Sequence, residues 1–124
     1  MYRSQRQNKL CSYLMDGSAC GFDRQAEIKI GGAWTSLCYL MFEPDENANG
    51  PGNPGPYAFN DGGNYPDDFE GLGRLHSKKG GEVMALDGHV QFLTIVQFRR
   101  ESSGGGGPGG KSLLFWNPLS ANGR

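Results

Sequence analysis

Apolar positions in this chain come in short bursts separated by turn residues, and no stretch holds a clean 3.6-residue period. The sharpest pattern is Glu82 to Leu93, EVMALDGHVQFL, where alternation on both sides of Asp87-Gly88 predicts a β-hairpin. With Asp87 and Gly88 as the two central residues of a type I′ turn, Leu86 faces His89, Ala85 faces Val90 and Val83 faces Phe92. Val83, Ala85, Val90 and Phe92 then make an apolar core face. Glu82, Met84, Leu86, His89 and Gln91 make a mixed second face, the expected wall of a site.

The remaining bursts read the same way. Leu10 to Phe22 has Asp16-Gly17 between two short arms and predicts two strands. Glu27 to Ile30 alternates, Gly31-Gly32 interrupts, and Trp34 to Phe42 is long enough for a buried central strand that stops at Glu43-Pro44. Thr94 to Phe98 carries the apolar run past the hairpin. The tail cluster Leu113 to Trp116 is expected to dock on the sheet before Asn117-Pro118 ends it. The best helical stretch, Tyr2 to Leu14, has no clean period.

Two segments have no periodicity. Residues 44–73 are rich in Gly, Pro and Asn and hold Asp45, Glu46, Asp61, Asp67, Asp68 and Glu70, with no Lys or Arg before Arg74. Their aromatics, Tyr57, Phe59, Tyr65 and Phe69, argue for an ordered loop, because a solvated tether has no use for them. Residues 102–111, SSGGGGPGGK, read as a flexible loop. The expected fold is a single α+β domain over residues 1–124, β-rich, with a twisted antiparallel sheet, one long ordered acidic loop and little helix.

Composition sharpens this picture. With 21 Gly and 7 Pro among 124 residues, turn-formers are nearly twice the usual share of roughly 12%, so the core must be thin. Twelve basic and 13 acidic side chains give a net charge of −1, which removes the electrostatic footprint of a nucleic-acid binder. No apolar run approaches the roughly 20 residues of a membrane span. The polar start, Met1 to Leu10, carries Arg3, Arg6 and Lys9 and no export signal, so the chain is expected to be cytoplasmic unless an upstream helix exists. Cys11, Cys20 and Cys38 fit neither a paired set nor a zinc spacing. One disulfide with a leftover thiol and three reduced thiols both remain open.

The blocks SYLMDGSACGF, LMFEPDE, FNDGGNYP, EGLGRLH, MALDGHVQFL and LLFWNPLSANGR, in that order, resemble the carboxy-terminal part of prepilin-like proteins of the Verrucomicrobia and Planctomycetes type. That family is recognised by a His, nine spacer residues, Asp-Gly and His-Val. Here His76 and Asp87-Gly88-His89-Val90 match with ten spacers, and the turn from Ser77 to Gly81 can absorb the extra one. The resemblance implies a pilin-like head that begins after the family's apolar anchoring helix. It also implies an exported, surface or periplasmic component related to type II secretion or type IV pili, with other pilin-like subunits or further copies of itself as partners.

Two histidines carry most of the candidate chemistry. His76 and His89 with a carboxylate from Glu43, Asp61 or Asp87 would form a 2-His-1-carboxylate centre for a divalent transition metal. The alternative is that both histidines hydrogen-bond loop groups and pin the acidic loop to the hairpin. Asp61, Asp67, Asp68 and Glu70 offer hard oxygen ligands for Ca²⁺, although the spacing is not that of an EF-hand, and the resemblance to pseudopilins with a calcium-stabilised loop points the same way. As an enzyme, the chain would be a metal-dependent hydrolase or oxidase acting on an extracellular polysaccharide, with catalytic candidates His76, His89, Glu43 and Asp87. Trp34, Trp116, Tyr57 and Tyr65 could form a sugar platform or serve as core and loop anchors. GGGPGGKS matches a phosphate-loop spacing without the flanking strand and helix, and is read as accidental.

Overall fold

The computed structural model describes residues 12–21, 28–45, 63–66, 70–74, 76–104 and 112–124. Its frame is the hairpin of β4, Gly80–Ala85, and β5, Val90–Thr94. β2, Tyr39–Phe42, pairs antiparallel with β4, and β1, Leu14–Asp16, pairs antiparallel with β2. The short β3, Gly63–Asn64, adds in parallel to β1, giving the order β3-β1-β2-β4-β5. Among the described residues one α-helix, α1, Ile95–Ser102, follows β5 directly. The chain is therefore a β-rich α+β fold, as the hydrophobic pattern implies.

The hairpin departs from expectation by one residue. The ladder pairs Met84 with Val90, Val83 with Gln91 and Glu82 with Phe92. Ala85 N–H bonds His89 O at 3.0 Å and Gly88 N–H bonds Ala85 O at 3.0 Å, so Leu86, Asp87 and Gly88 form a three-residue loop. Only Gly88 has positive φ in it, at 86°, where a type I′ turn would need Asp87 there as well. Because side chains alternate, the slip moves Val90 and Phe92 off the core face and brings Gln91 and Leu93 onto it. Val90 is accordingly 62% exposed and Leu93 is buried.

β2 is shorter than the apolar run that contains it. Residues Ile30–Gly32 form a 3-10 turn, and only Tyr39–Phe42 pairs as strand. The register shifts between Tyr39 and Met41, so Leu40 is an extra residue. That bulge lets Tyr39 and Phe42, three apart, both reach the core. The second arm after Asp16 is likewise a 3-10 turn, Gly17–Cys20, because Asp16 Oδ1 accepts the Ser18 N–H at 2.8 Å and caps it.

α1 was not legible as a helix from apolar period, yet its start signal is present. Thr94 and Gln97 form a capping box: Thr94 Oγ1 accepts the Gln97 N–H at 3.2 Å, and Gln97 Oε1 accepts the Thr94 N–H at 2.9 Å. The helix buries Phe98, whose ring lies 5.9 Å from that of Phe42. Tyr39, Leu72, Val83, Ala85, Leu93, Leu114 and Phe115 complete this core. The tail docks as expected, through hydrogen bonds in place of a strand. Tyr39 N–H bonds Leu113 O at 2.9 Å, and the Trp116 indole donates to Tyr39 O at 2.8 Å. Ser18 Oγ donates to Leu114 O at 2.9 Å and accepts from Trp116 N–H at 3.1 Å, bracing the 3-10 turn after β1 to the tail.

Candidate functional site

The two motif histidines sit at opposite ends of β4. His76 bridges Gly80, where the strand begins, and His89 follows the loop at its far end. Five steps of strand at about 3.3 Å each separate those ends by about 17 Å. One ion cannot take both histidines in this arrangement. Each has its own carboxylate instead. His76 Nε2 lies 3.4 Å from Glu43 Oε1, and His89 Nδ1 lies 2.7 Å from Asp87 Oδ1.

The Glu43 pair is the more deeply set. Glu43 is buried, and its second oxygen approaches Glu82 N–H at 3.5 Å, while His76 is half exposed. Glycines make the room. A methyl group on Gly81 would stand 3.1 Å from Glu43 Oε2, and one on Gly73 would stand 2.8 Å from Pro44 O. Gly73 N–H also donates to Glu43 O at 2.7 Å, and Pro44 bridges Leu72, so Glu43 and His76 join the end of β2 to the chain entering β4. The link is made by His76 and not by His89, and its partner Glu43 stands just before the acidic segment 44–73.

The Asp87 pair is open to solvent. Asp87 Oδ1 accepts both the backbone N–H of His89, at 3.1 Å, and its ring nitrogen. Those hydrogen bonds hold the Asp87 carboxyl below its usual range. His89 therefore belongs to the hairpin tip and not to a wall of the sheet's second face. Neighbouring backbone bonds, Leu86 N–H to Cys38 O at 2.9 Å and Asp87 N–H to Ser36 O at 3.1 Å, secure that tip.

Of the four residues considered for calcium, Asp61, Asp67 and Asp68 lie outside the described residues. Glu70 is buried, with Oε2 accepting Tyr65 N–H at 2.6 Å. Among the described residues, no three His, Cys, Asp or Glu side chains converge as metal ligands would. Among the described residues, Trp34, Trp116 and Tyr65 do not form the expected aromatic platform. Trp116 is fully buried, Trp34 donates to Ser112 O at 3.0 Å, and Tyr65 meets Phe115 edge-on at 5.6 Å. Tyr57 and Cys11 lie outside the described residues, Cys20 Sγ donates to Gly17 O at 3.3 Å, and Cys38 is a buried thiol.

Two features escaped the sequence pattern. Asp16 is fully buried beside the tail, and its Oδ2, like Asn117 Nδ2, has no hydrogen-bond partner among the described residues. Burial holds the Asp16 carboxyl well above its usual range, and also pushes the Cys38 thiol up. The other feature is on the sheet's outer face. Met15 pairs with Met41, Met41 with Met84 and Met84 with Val90, a row of four apolar side chains across four strands. Phe92 lies beside it, opposite Glu82. Met15 is 40% exposed, Phe92 39% and Val90 62%. The one-residue slip of the hairpin creates this row, because the expected register would have buried Val90 and Phe92.

Comparison with protein-family models, with curated proteins and with solved structures finds no match to this chain. No helix among the described residues is long and apolar enough to cross a membrane.

Proposed function

We propose that this chain is a structural subunit: the globular, pilin-like head of a surface filament or a type II secretion-like assembly, acting in an exported setting by packing against further copies of itself or related heads. The observation that carries the reading is the Met15–Met41–Met84–Val90 row with Phe92 at its edge. Large apolar side chains standing together on one face of a sheet mark an interaction surface, and methionine adapts its shape to a partner at small cost. The His76–Glu43 pair supports the same role, since it ties the end of β2 to the chain entering β4 and leaves the His89–Asp87 pair to the hairpin tip. A metal-dependent hydrolase centred on both histidines would need them on one ion, and the length of β4 stands between them.

Sedimentation velocity over a concentration series tests this. The unmodified chain should associate reversibly at concentrations on the order of 100 µM, and Met84→Glu with Val90→Lys should keep it monomeric without lowering its thermal stability. A chain that stays monomeric up to millimolar concentration would refute the assembly surface.

A further inference from the structure

A second surface has different chemistry. A groove of about 450 Å³ lies between the turn that precedes β4 and the start of α1, within the size range of small-ligand sites. Arg74, Lys78, Lys79 and Arg99 line it, and no carboxylate among the described residues does. The turn and helix are held together, because Ile95 N–H donates to Lys79 O at 2.9 Å. The positive end of α1 adds to the field of the side chains. Arg74 Nε is 3.6 Å from Asp45 Oδ2 in a pair that is half exposed on the arginine side, which leaves guanidinium N–H groups for a ligand. Neither Lys78 nor Lys79 has an ion-pair partner among the described residues.

Backbone conformation gives an independent reason to single out Lys78. Ser77 and Lys78 have φ of 56° and 58°, a left-handed pair that favours Gly or Asn. A lysine there is held against its conformational preference, and strained positions of this kind concentrate at functional sites. The apolar part of the groove points to the ligand's other half. Val96 is 78% exposed and Ile95 is half buried beside the cations, a ledge suited to the C–H face of a sugar ring.

We infer that this groove binds a saccharide carrying a tetrahedral oxyanion, a sulfate or phosphate ester, with Lys78 and Lys79 on the oxyanion and the Ile95–Val96 ledge under the ring. The site shares no residue with the methionine row, so it stands or falls apart from the assembly reading.

Amide chemical-shift titration at low salt with glucose 6-sulfate and glucose 6-phosphate tests it and distinguishes the two esters. Saturable shifts at Lys78, Lys79 and Val96 are expected, with inorganic sulfate and phosphate weaker than the corresponding ester. Lys78→Gly relieves the left-handed strain while deleting the charge, so it should raise the melting temperature and weaken binding about threefold or more. Lys78→Gly with Lys79→Ala should weaken it about tenfold or more, while Lys29→Glu, with the same change in net charge away from the groove, should not. Binding unchanged in Lys78→Gly, or no saturable shift with either ester, would overturn the site. Inorganic anions binding as well as the esters would overturn the saccharide.

Discussion

Gly88 offers a clean test of the three-residue hairpin loop. A methyl group at Gly88 would meet nothing within 4 Å, and neither would one at Gly31, so alanine at either position adds no clash. The two differ in backbone: φ at Gly88 is +86°, and Gly31 is outside the left-handed region. An L-residue in that region costs roughly 1–2 kcal/mol, partly offset by the roughly 0.4–1 kcal/mol gained from restricting the unfolded chain. Gly88→Ala should therefore lose about 1 kcal/mol, a fall of roughly 4 °C in melting temperature, and Gly31→Ala should be neutral or slightly stabilising. Gly80→Ala supplies the steric limit. Its methyl would stand 2.0 Å from Leu93 O, the backbone of the paired strand, and should cost about 3 kcal/mol or more. Urea unfolding followed by the fluorescence of Trp34 and Trp116 measures all three. Equal stability of Gly88→Ala and Gly31→Ala would refute the left-handed conformation of Gly88 on which the loop depends.

Three further outcomes follow from the described contacts. Because the Asp16 pKa is raised in the fold, the folded state holds its proton longer than the unfolded chain, so Asp16's contribution is fully present below about pH 4 and is lost as pH rises through the folded value. Asp16→Asn should gain on the unmodified chain by about 1.4 kcal/mol per pH unit above that point until the folded pKa is passed; parallel stability curves would show that the carboxyl is not buried. Trp116→Phe removes the indole bond to Tyr39 O, leaving that carbonyl unpaired in the core, and calorimetry should show a loss of about 2–4 kcal/mol. His76→Ala, which strips the partner from buried Glu43, should cost about 1–2 kcal/mol, and His89→Ala, at an exposed tip, at most about 0.5 kcal/mol; the reverse order in urea titrations would contradict the assigned roles.

Asp16-Gly17 ends β1 and leads into a 3-10 turn in place of the expected second arm, whereas the hairpin and the docking of Leu113 to Trp116 were legible. Register was not. Asp-Gly suits a two-residue turn and a three-residue loop alike, and what separates them is the pairing of Met84 with Val90, settled by packing of the whole sheet. The break of Trp34 to Phe42 into turn, bulge and strand depends on Trp116 and the tail, far away in sequence. α1 carries one buried residue, Phe98, too few for a period, although Thr94-x-x-Gln97 marked its start. For the candidate site, the spacing from His76 to Asp87-Gly88-His89 tells how much chain lies between them and nothing of direction. A straight strand spends that chain on separation, and each histidine finds the carboxylate at its own end. Lys78-Lys79 and Arg99 share a groove only because the helix turns back over the strand entry, a tertiary event that no local pattern records.

Ser18 has a kinetic consequence. Its hydroxyl is the clasp between the 3-10 turn after β1 and the tail, reaching Leu114 and Trp116 across 96 and 98 residues of sequence. Contacts of that span enter late in folding, after the entropy of closing the loop has been met, and that cost grows only as the logarithm of the loop length. During synthesis, then, β1, β2 and the hairpin can collapse together while their core face still lacks Leu114, Phe115 and Trp116. The last step is closure of an already formed sheet by its tail, and until it happens Phe42 and Phe98 stay open on one side. Measured on refolding, Trp34 and Trp116 should report that closure as a phase slower than formation of the hairpin itself.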